Sequence, residues 1–163
     1  CIRDCMRYAA RHSLSWRFPP QHPFRTLDLL RLSLPSVSGD RQDAVISCLF
    51  EQVWVKGANL GDRETLHKVL EEADFPASEW MRAIETDSVK AELRDSTAKA
   101  IERGVFGVPT MILDDDTRTL VWGNDRWESL RELHQGLNPI DEEFAQSTIQ
   151  QPFGLARARP RGQ

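Results

Sequence analysis

The chain carries three cysteines, Cys1, Cys5 and Cys48. The first two are spaced to lie on one side of a helix. Two such thiols can begin a metal site, but no third or fourth ligand follows at zinc-site spacing. There is no Cys-x-x-Cys pair, and an odd set argues against a disulfide framework. Cys5 and Cys48 fall within apolar patterns and read as core thiols, and Cys1 as an exposed one. Glu71-Glu72 and His67 belong to a charged helix face and read as solvated. His12 reads as a helix-end residue favoured by the dipole. Val108-Pro109 heads an apolar run, and proline cannot donate to a sheet ladder. Asn124-Asp125 precedes Glu128 at the spacing of a capping box, with Asp125 as cap at a helix mouth.

These residues need a scaffold, and the pattern around them supplies one. A periodic helix ends at Gly104, where a residue of positive φ is often required. Thr110 to Leu113 then reads as a buried strand, Asp114-Asp115-Asp116 as a polar turn, and Thr119 to Trp122 as the returning strand. A helix opens after Asn124-Asp125.

Upstream the pattern is helical. Ile2, Cys5, Met6, Ala9 and Ala10 share one face of a helix ending near His12. Leu14, Trp16 and Phe18 alternate in a short extended segment, which Pro19, Pro20 and Pro23 prolong. Thr26 is the expected cap of a helix lined by Leu27, Leu30 and Leu34. Pro35 to Asp40 reads as a connector. Asp43 to Lys56 reads as one mostly buried helix closed by Gly57, with Ala44, Val45, Ile46, Cys48, Leu49, Phe50, Val53 and Trp54 leaving little polar face. Asp62 caps a helix with Leu66, Val69, Leu70 and Ala73 inward. A shorter run holds Trp80, Met81 and Ile84. Asp87 or Ser88 caps a long helix with Val89, Leu93, Thr97, Ala100 and Ile101 inward. After Gly136, Asn138-Pro139 ends the last strong helix. Ile140 to Gln151 forms a weaker one anchored by Phe144 and Ile149, and the Arg-rich end from Pro152 reads as disordered.

The 163 residues suit one domain with a sizeable core. A formal net charge of -4 gives no basic field for nucleic acid or anionic membrane. No apolar run is long enough to span a bilayer, and the cysteine usage suits a reducing, cytoplasmic setting.

Two strings carry a resemblance: Gly104-Val105-Phe106-Gly107-Val108-Pro109-Thr110, and Trp122-Gly123-Asn124-Asp125-Arg126. Helix, Val-Pro, hairpin and helix in that order resemble the second half of a thioredoxin fold. The strings themselves resemble the DsbA-related branch that holds kappa-class glutathione transferases and 2-hydroxychromene-2-carboxylate isomerases. Val-Pro alone would suit a trans bond; the resemblance implies a cis one. It also implies an α/β, thioredoxin-like fold with an inserted helical subdomain, mostly helical here, whose first strand-helix-strand unit is missing. Such a unit takes about 30 residues, and the chain opens at Cys1 inside a helix, as a processed form or fragment would. The expected organisation is a DsbA-like domain over 1–137, with a mainly helical insertion at 19–103 and the hairpin and final helix at 104–136, then an extension at 138–163.

The resemblance further implies glutathione as cofactor. Val108, beside Pro109, would pair with it through main-chain groups, as an added strand does. Asn124 and Asp125 would hold its γ-glutamyl end, a helix mouth suiting the carboxylate and an aspartate the ammonium. In Pro23-Phe24-Arg25-Thr26-Leu27, Arg25 stands where the family has an asparagine near glutathione. Arg25 either pairs with a glutathione carboxylate or faces water. The activating serine of the family would lie upstream of Cys1, so no catalytic residue is named. The implied activity is a glutathione-dependent isomerase or transferase acting on a small aromatic or electrophilic substrate, with a homodimer left open. A thiol-disulfide oxidoreductase, needing an upstream Cys-x-x-Cys, and a non-catalytic binding remnant are the alternatives.

Overall fold

The computed structural model describes residues 2–113 and 119–149. Cys1, the Asp114-Asp115-Asp116 turn and the end from Gln150 onward therefore lie outside the described residues. The chain divides into two compact units, Cys1–Arg103 and Gly104–Gln163.

The first unit is helical. Its elements are α1 (Ile2–Arg11), α2 (Leu27–Leu32), α3 (Pro35–Ser38), a 3-10 turn (Gly39–Arg41), α4 (Gln42–Glu51), a π-helical turn (Gln52–Lys56), α5 (Arg63–Glu72), α6 (Ala77–Ala83) and α7 (Asp87–Glu102). The expected connector after Pro35 is thus a short helix, with proline at a first-turn position where its missing N–H costs nothing. The helix from residue 42 widens into the π turn and stops at Gly57, whose φ of +73° suits glycine. There the Arg17 N–H donates to the Trp54 carbonyl at 2.6 Å, which ties the extended segment to the end of this helix.

One apolar core gathers Leu32, Val45, Leu49, Leu66, Leu70, Trp80 and Ile84. The α5 stripe is as the periodicity demands, and Asp62 caps it by accepting from the Thr65 N–H at 2.8 Å. Elsewhere the buried faces are narrower than the pattern suggests. In α1 only Ala9 is buried; Ile2, Met6 and the Cys5 thiol are exposed, so Cys5 is not a core thiol. In α2, Leu27 and Leu30 face water, while Leu32 and Arg31 are buried. Thr26 stands at the cap position but its hydroxyl makes no cap bond. Along the helix from residue 42, Val45, Leu49 and Val53 are buried, Ala44 is exposed and Phe50 is 64% exposed. In α7, Val89 is buried, Leu93 half-buried and Ile101 exposed, and the cap is Thr86, whose Oγ1 accepts from Val89 N–H. The common reason is geometric. Spacing shows which side chains share a face, but a face is buried only where another element covers it.

Charges pin the rim of this core. Asp28 pairs with Arg31 at 3.3 Å and with Arg63 at 3.7 Å, and Glu85 pairs with Arg63 and, at 3.0 Å, with Lys90. Hydrogen bonds from Arg63 and then Lys90 hold the Glu85 carboxyl at about 2, below its ordinary 4.5. A folded-state pKa below the unfolded one stabilises the fold above about 4.5 and loses that contribution as pH falls towards 2. Because Glu85 is 44% exposed, solvent screening keeps the effect modest. Urea midpoints of wild type and Glu85→Gln should therefore differ at pH 6 and converge by pH 2. Parallel curves from pH 6 to 2 would refute the assignment.

The second unit holds β1 (Thr110–Ile112), β2 (Leu120–Trp122), α8 (Trp127–His134) and α9 (Glu142–Ile149). The strands pair antiparallel with Thr110 opposite Trp122 and Ile112 opposite Leu120. Gly104 and Gly136 take positive φ at the ends of helices. In α9 Phe144 is exposed and anchors nothing, because no described element covers it; the Ile149 side chain lies outside the described residues.

Candidate functional site

The expected binding residues of the second unit meet at one end of the hairpin. Beyond the Thr110–Trp122 pair, the Gly123 N–H donates to the Pro109 carbonyl at 3.1 Å. The pairing ends there, with Val108 in the bend before β1 and Asn124 in the turn after β2. The Val108-Pro109 bond is cis, as the resemblance implies. Val108 is 88% exposed, and among the described residues neither its N–H nor its carbonyl has a hydrogen-bond partner. Thr110 secures the approach, its Oγ1 donating to the Gly107 carbonyl. Phe106 and Trp122 stand beside it with ring centroids 5.2 Å apart, both exposed.

The turn after β2 then presents Asn124 and Asp125. Gly123 has a φ of +114°, and a Cβ placed there would come within 2.7 Å of Asp125 Oδ1. The Asp125 carboxylate thus folds back over the glycine. It does not cap α8: the helix starts at Trp127 after Arg126, and no side chain accepts from its first N–H groups. The expected capping box is absent because Asp125 lies one residue too early. Its side chain is 80% exposed, with Arg126 Nε as a distant ion-pair partner at 3.9 Å. The Glu128 carboxylate turns to Arg131 at 3.4 Å instead.

Arg25 belongs to the other unit. It is exposed and has no hydrogen-bond or ion-pair partner among the described residues. Cys48 is half-buried, and burial, then the Glu51 carboxylate, raises its thiol pKa, so the thiol stays protonated. His67 sits between Glu71, 3.4 Å from Nδ1, and the Ser78 hydroxyl, 3.1 Å from Nε2. Its charged-face reading left out this polar bridge to α6, which joins residues far apart in sequence. Among the described residues no cluster of three His, Cys, Asp or Glu could hold a metal, and no helix is long and apolar enough to cross a membrane.

A family model described as DSBA-like thioredoxin domain matches residues 2–135. The chain is 28% identical over 129 residues to a 2-hydroxychromene-2-carboxylate isomerase of Sphingobium xenophagum, covering 79% of this chain and 64% of that protein. It is 30% identical over 124 residues to a protein of the same name from Pseudomonas sp. (strain C18), covering 76% and 56%. Glutathione S-transferase kappa 1 of Rattus norvegicus matches at 29% identity over 52% of this chain and 39% of the relative. The chain thus spans less than two thirds of the length of each of these relatives. A solved structure of selenomethionine 2-hydroxychromene-2-carboxylate isomerase superposes with a TM-score of 0.68 at 28% identity, covering 82% of this chain and 64% of that one.

Proposed function

This chain belongs to the DSBA-like thioredoxin domain family, and from that premise we propose that it carries the glutathione-binding part of an isomerase or transferase acting on a small aromatic electrophile. The fold is thioredoxin-like, mostly helical, with a small two-stranded sheet. The relatives are named as isomerases and as a kappa-class transferase, which supports that coarse class of enzyme.

The observation that carries the glutathione reading is the open end of the hairpin. Val108, in the bend before β1, has an N–H and a carbonyl without a partner among the described residues, the pairing groups an added peptide strand needs. Asp125 lies on the following turn with an exposed carboxylate that can take an ammonium group. Asn124 adds an amide that can donate to a carboxylate. Bound glutathione would supply a sulfur nucleophile; the residues of this chain orient the peptide and leave its thiol end to the electrophile.

Calorimetric titration with glutathione tests this. Charge-assisted hydrogen bonds are worth about 1.5–3 kcal/mol, and an exposed one falls at the low end, so Asp125→Ala should weaken binding about ten-fold. Val108→Ala should change affinity less than about two-fold, since only main-chain groups are used. Equal affinity in wild type and Asp125→Ala, with circular dichroism unchanged, would remove Asp125 from the site.

A further inference from the structure

The polar bridge between α5 and α6 has the order of a nucleophile, a base and an orienting carboxylate. His67 Nε2 lies 3.1 Å from the Ser78 hydroxyl, and the Glu71 carboxylate lies 3.4 Å from Nδ1. A hydroxyl within hydrogen-bond reach of an imidazole, whose other nitrogen faces a carboxylate, is the geometry that activates a serine. Glu71 beside Nδ1 favours the tautomer with its proton there. Nε2 is then left to accept the Ser78 O–H.

The three side chains stand on a well-held frame. His67 and Glu71 are one turn apart on α5, so helix geometry sets them on one face. On the same helix Leu66, Val69 and Leu70 are buried. After α5 the Phe75 N–H donates to the Leu70 carbonyl at 2.9 Å, and the Phe75 ring stacks on Trp80 of α6. That contact fixes the start of α6 against the end of α5. Ser78 is exposed and His67 half-buried, so the nucleophile is open to a substrate while the base is held. Arg82 Nε donates to the Ser78 carbonyl at 3.1 Å, and its guanidinium has no ion-pair partner among the described residues. It sets a cation beside the serine, where negative charge develops on an attacked carbonyl. None of these residues belongs to the hairpin unit.

We propose that Ser78, His67 and Glu71 form an esterase-type site of the helical unit, acting on carboxylic esters with a good leaving group, such as aryl esters. Ser78 Oγ attacks the ester carbonyl carbon while its proton passes to His67 Nε2. The ester C–O bond breaks, and the leaving alkoxide takes that proton and departs as the alcohol. Water then gives a proton to Nε2 and attacks the acyl group. The acyl bond to Oγ breaks, the proton returns to Oγ, and the carboxylic acid is released. Ester and water thus give acid and alcohol, without an oxidant and without glutathione. Glu71 touches no reacting atom and acts as a positioning residue for the ring. Because Ser78 is open to solvent, the site grips little of the substrate, and ester reactivity rather than fit sets the rate.

Hydrolysis of p-nitrophenyl acetate by the chain, with no glutathione present, tests it. Ser78→Ala and His67→Gln should each lower kcat/KM at least about ten-fold, with circular dichroism unchanged. A fluorophosphonate should add to Ser78 in wild type, read by mass spectrometry of its peptide, and fail to add in His67→Gln. Glu71→Gln should lower the rate about five-fold, a modest factor because its charge is exposed. In that variant nitrogen NMR of neutral His67 should show loss of the Nδ1–H tautomer, which a merely structural role would not produce. A wild-type rate in Ser78→Ala assigns any hydrolysis to the imidazole alone and overturns the proposal. So does a fluorophosphonate that leaves Ser78 unmodified. Calorimetry with glutathione on the same preparations separates the two ideas: Ser78→Ala should bind it as wild type does, and loss of either property leaves the other standing.

Discussion

Trp80→Ala is expected to lower the stability of the chain by about 3–5 kcal/mol, the range for truncating a large buried aromatic. Trp80 is 4% exposed and stacks on Phe75 with ring centroids 5.0 Å apart. On the same Phe75 ring, the Arg41 guanidinium lies 4.3 Å from the centroid and donates to the Asp74 carbonyl at 2.7 Å. Removing the indole therefore opens a cavity and also loosens the packing that holds the 3-10 turn to the end of α5. Natural domains are stable by about 5–15 kcal/mol in all, so this one change consumes a large share. Urea unfolding measures it, with Ile101→Ala as control. Ile101 sits on an exposed part of α7 and should cost less than about 0.5 kcal/mol. Similar losses in both variants would show that the core boundary is misplaced.

The second large effect is expected at Gly123. At a φ of +114° an L side chain is strained, at a cost of about 1–3 kcal/mol. Gly123→Ala also places a methyl group 2.7 Å from Asp125 Oδ1 and 3.6 Å from Arg126 Cγ. The carboxylate must swing away, so the turn loses both its backbone conformation and the group proposed to hold the glutathione ammonium. Glutathione affinity should fall at least as far as in Asp125→Ala, about ten-fold or more. The helical unit should keep its circular dichroism, since Gly123 lies outside it. Wild-type affinity in Gly123→Ala would mean that Asp125 plays no part.

The hairpin that carries these residues was largely legible before the fold was seen. Val108-Pro109 at the head of one strand and Asn124-Asp125 after the other are fixed by local patterns: a proline, an apolar run, a turn, a second run. Antiparallel pairing then sets Thr110 opposite Trp122 and the Pro109 carbonyl on the Gly123 N–H. The capping box was misread because one residue of helix start decides whether a carboxylate reaches an N–H, and boundaries are the least certain part of a pattern. The cluster of Ser78, His67 and Glu71 was legible only in part. Helical spacing sets His67 and Glu71 on one face, but Ser78 belongs to the next helix, and only packing brings its hydroxyl to the ring.

What the amino-acid sequence determined by itself was local. Asp62 must cap α5 because its carboxylate is three residues from Thr65, and Leu66, Val69 and Leu70 must share a face because helix geometry repeats. The family strings from Gly104 to Thr110 and from Trp122 to Arg126 belong to the same class of information. Only the tertiary structure decided which faces were covered. It buried Arg31 and exposed Leu30, sent Cys5, Phe50 and Ile101 to water, and left Thr26 without a cap bond. Periodicity specifies which residues point the same way, whereas burial depends on whether another element arrives to cover them, and that is a property of the whole chain.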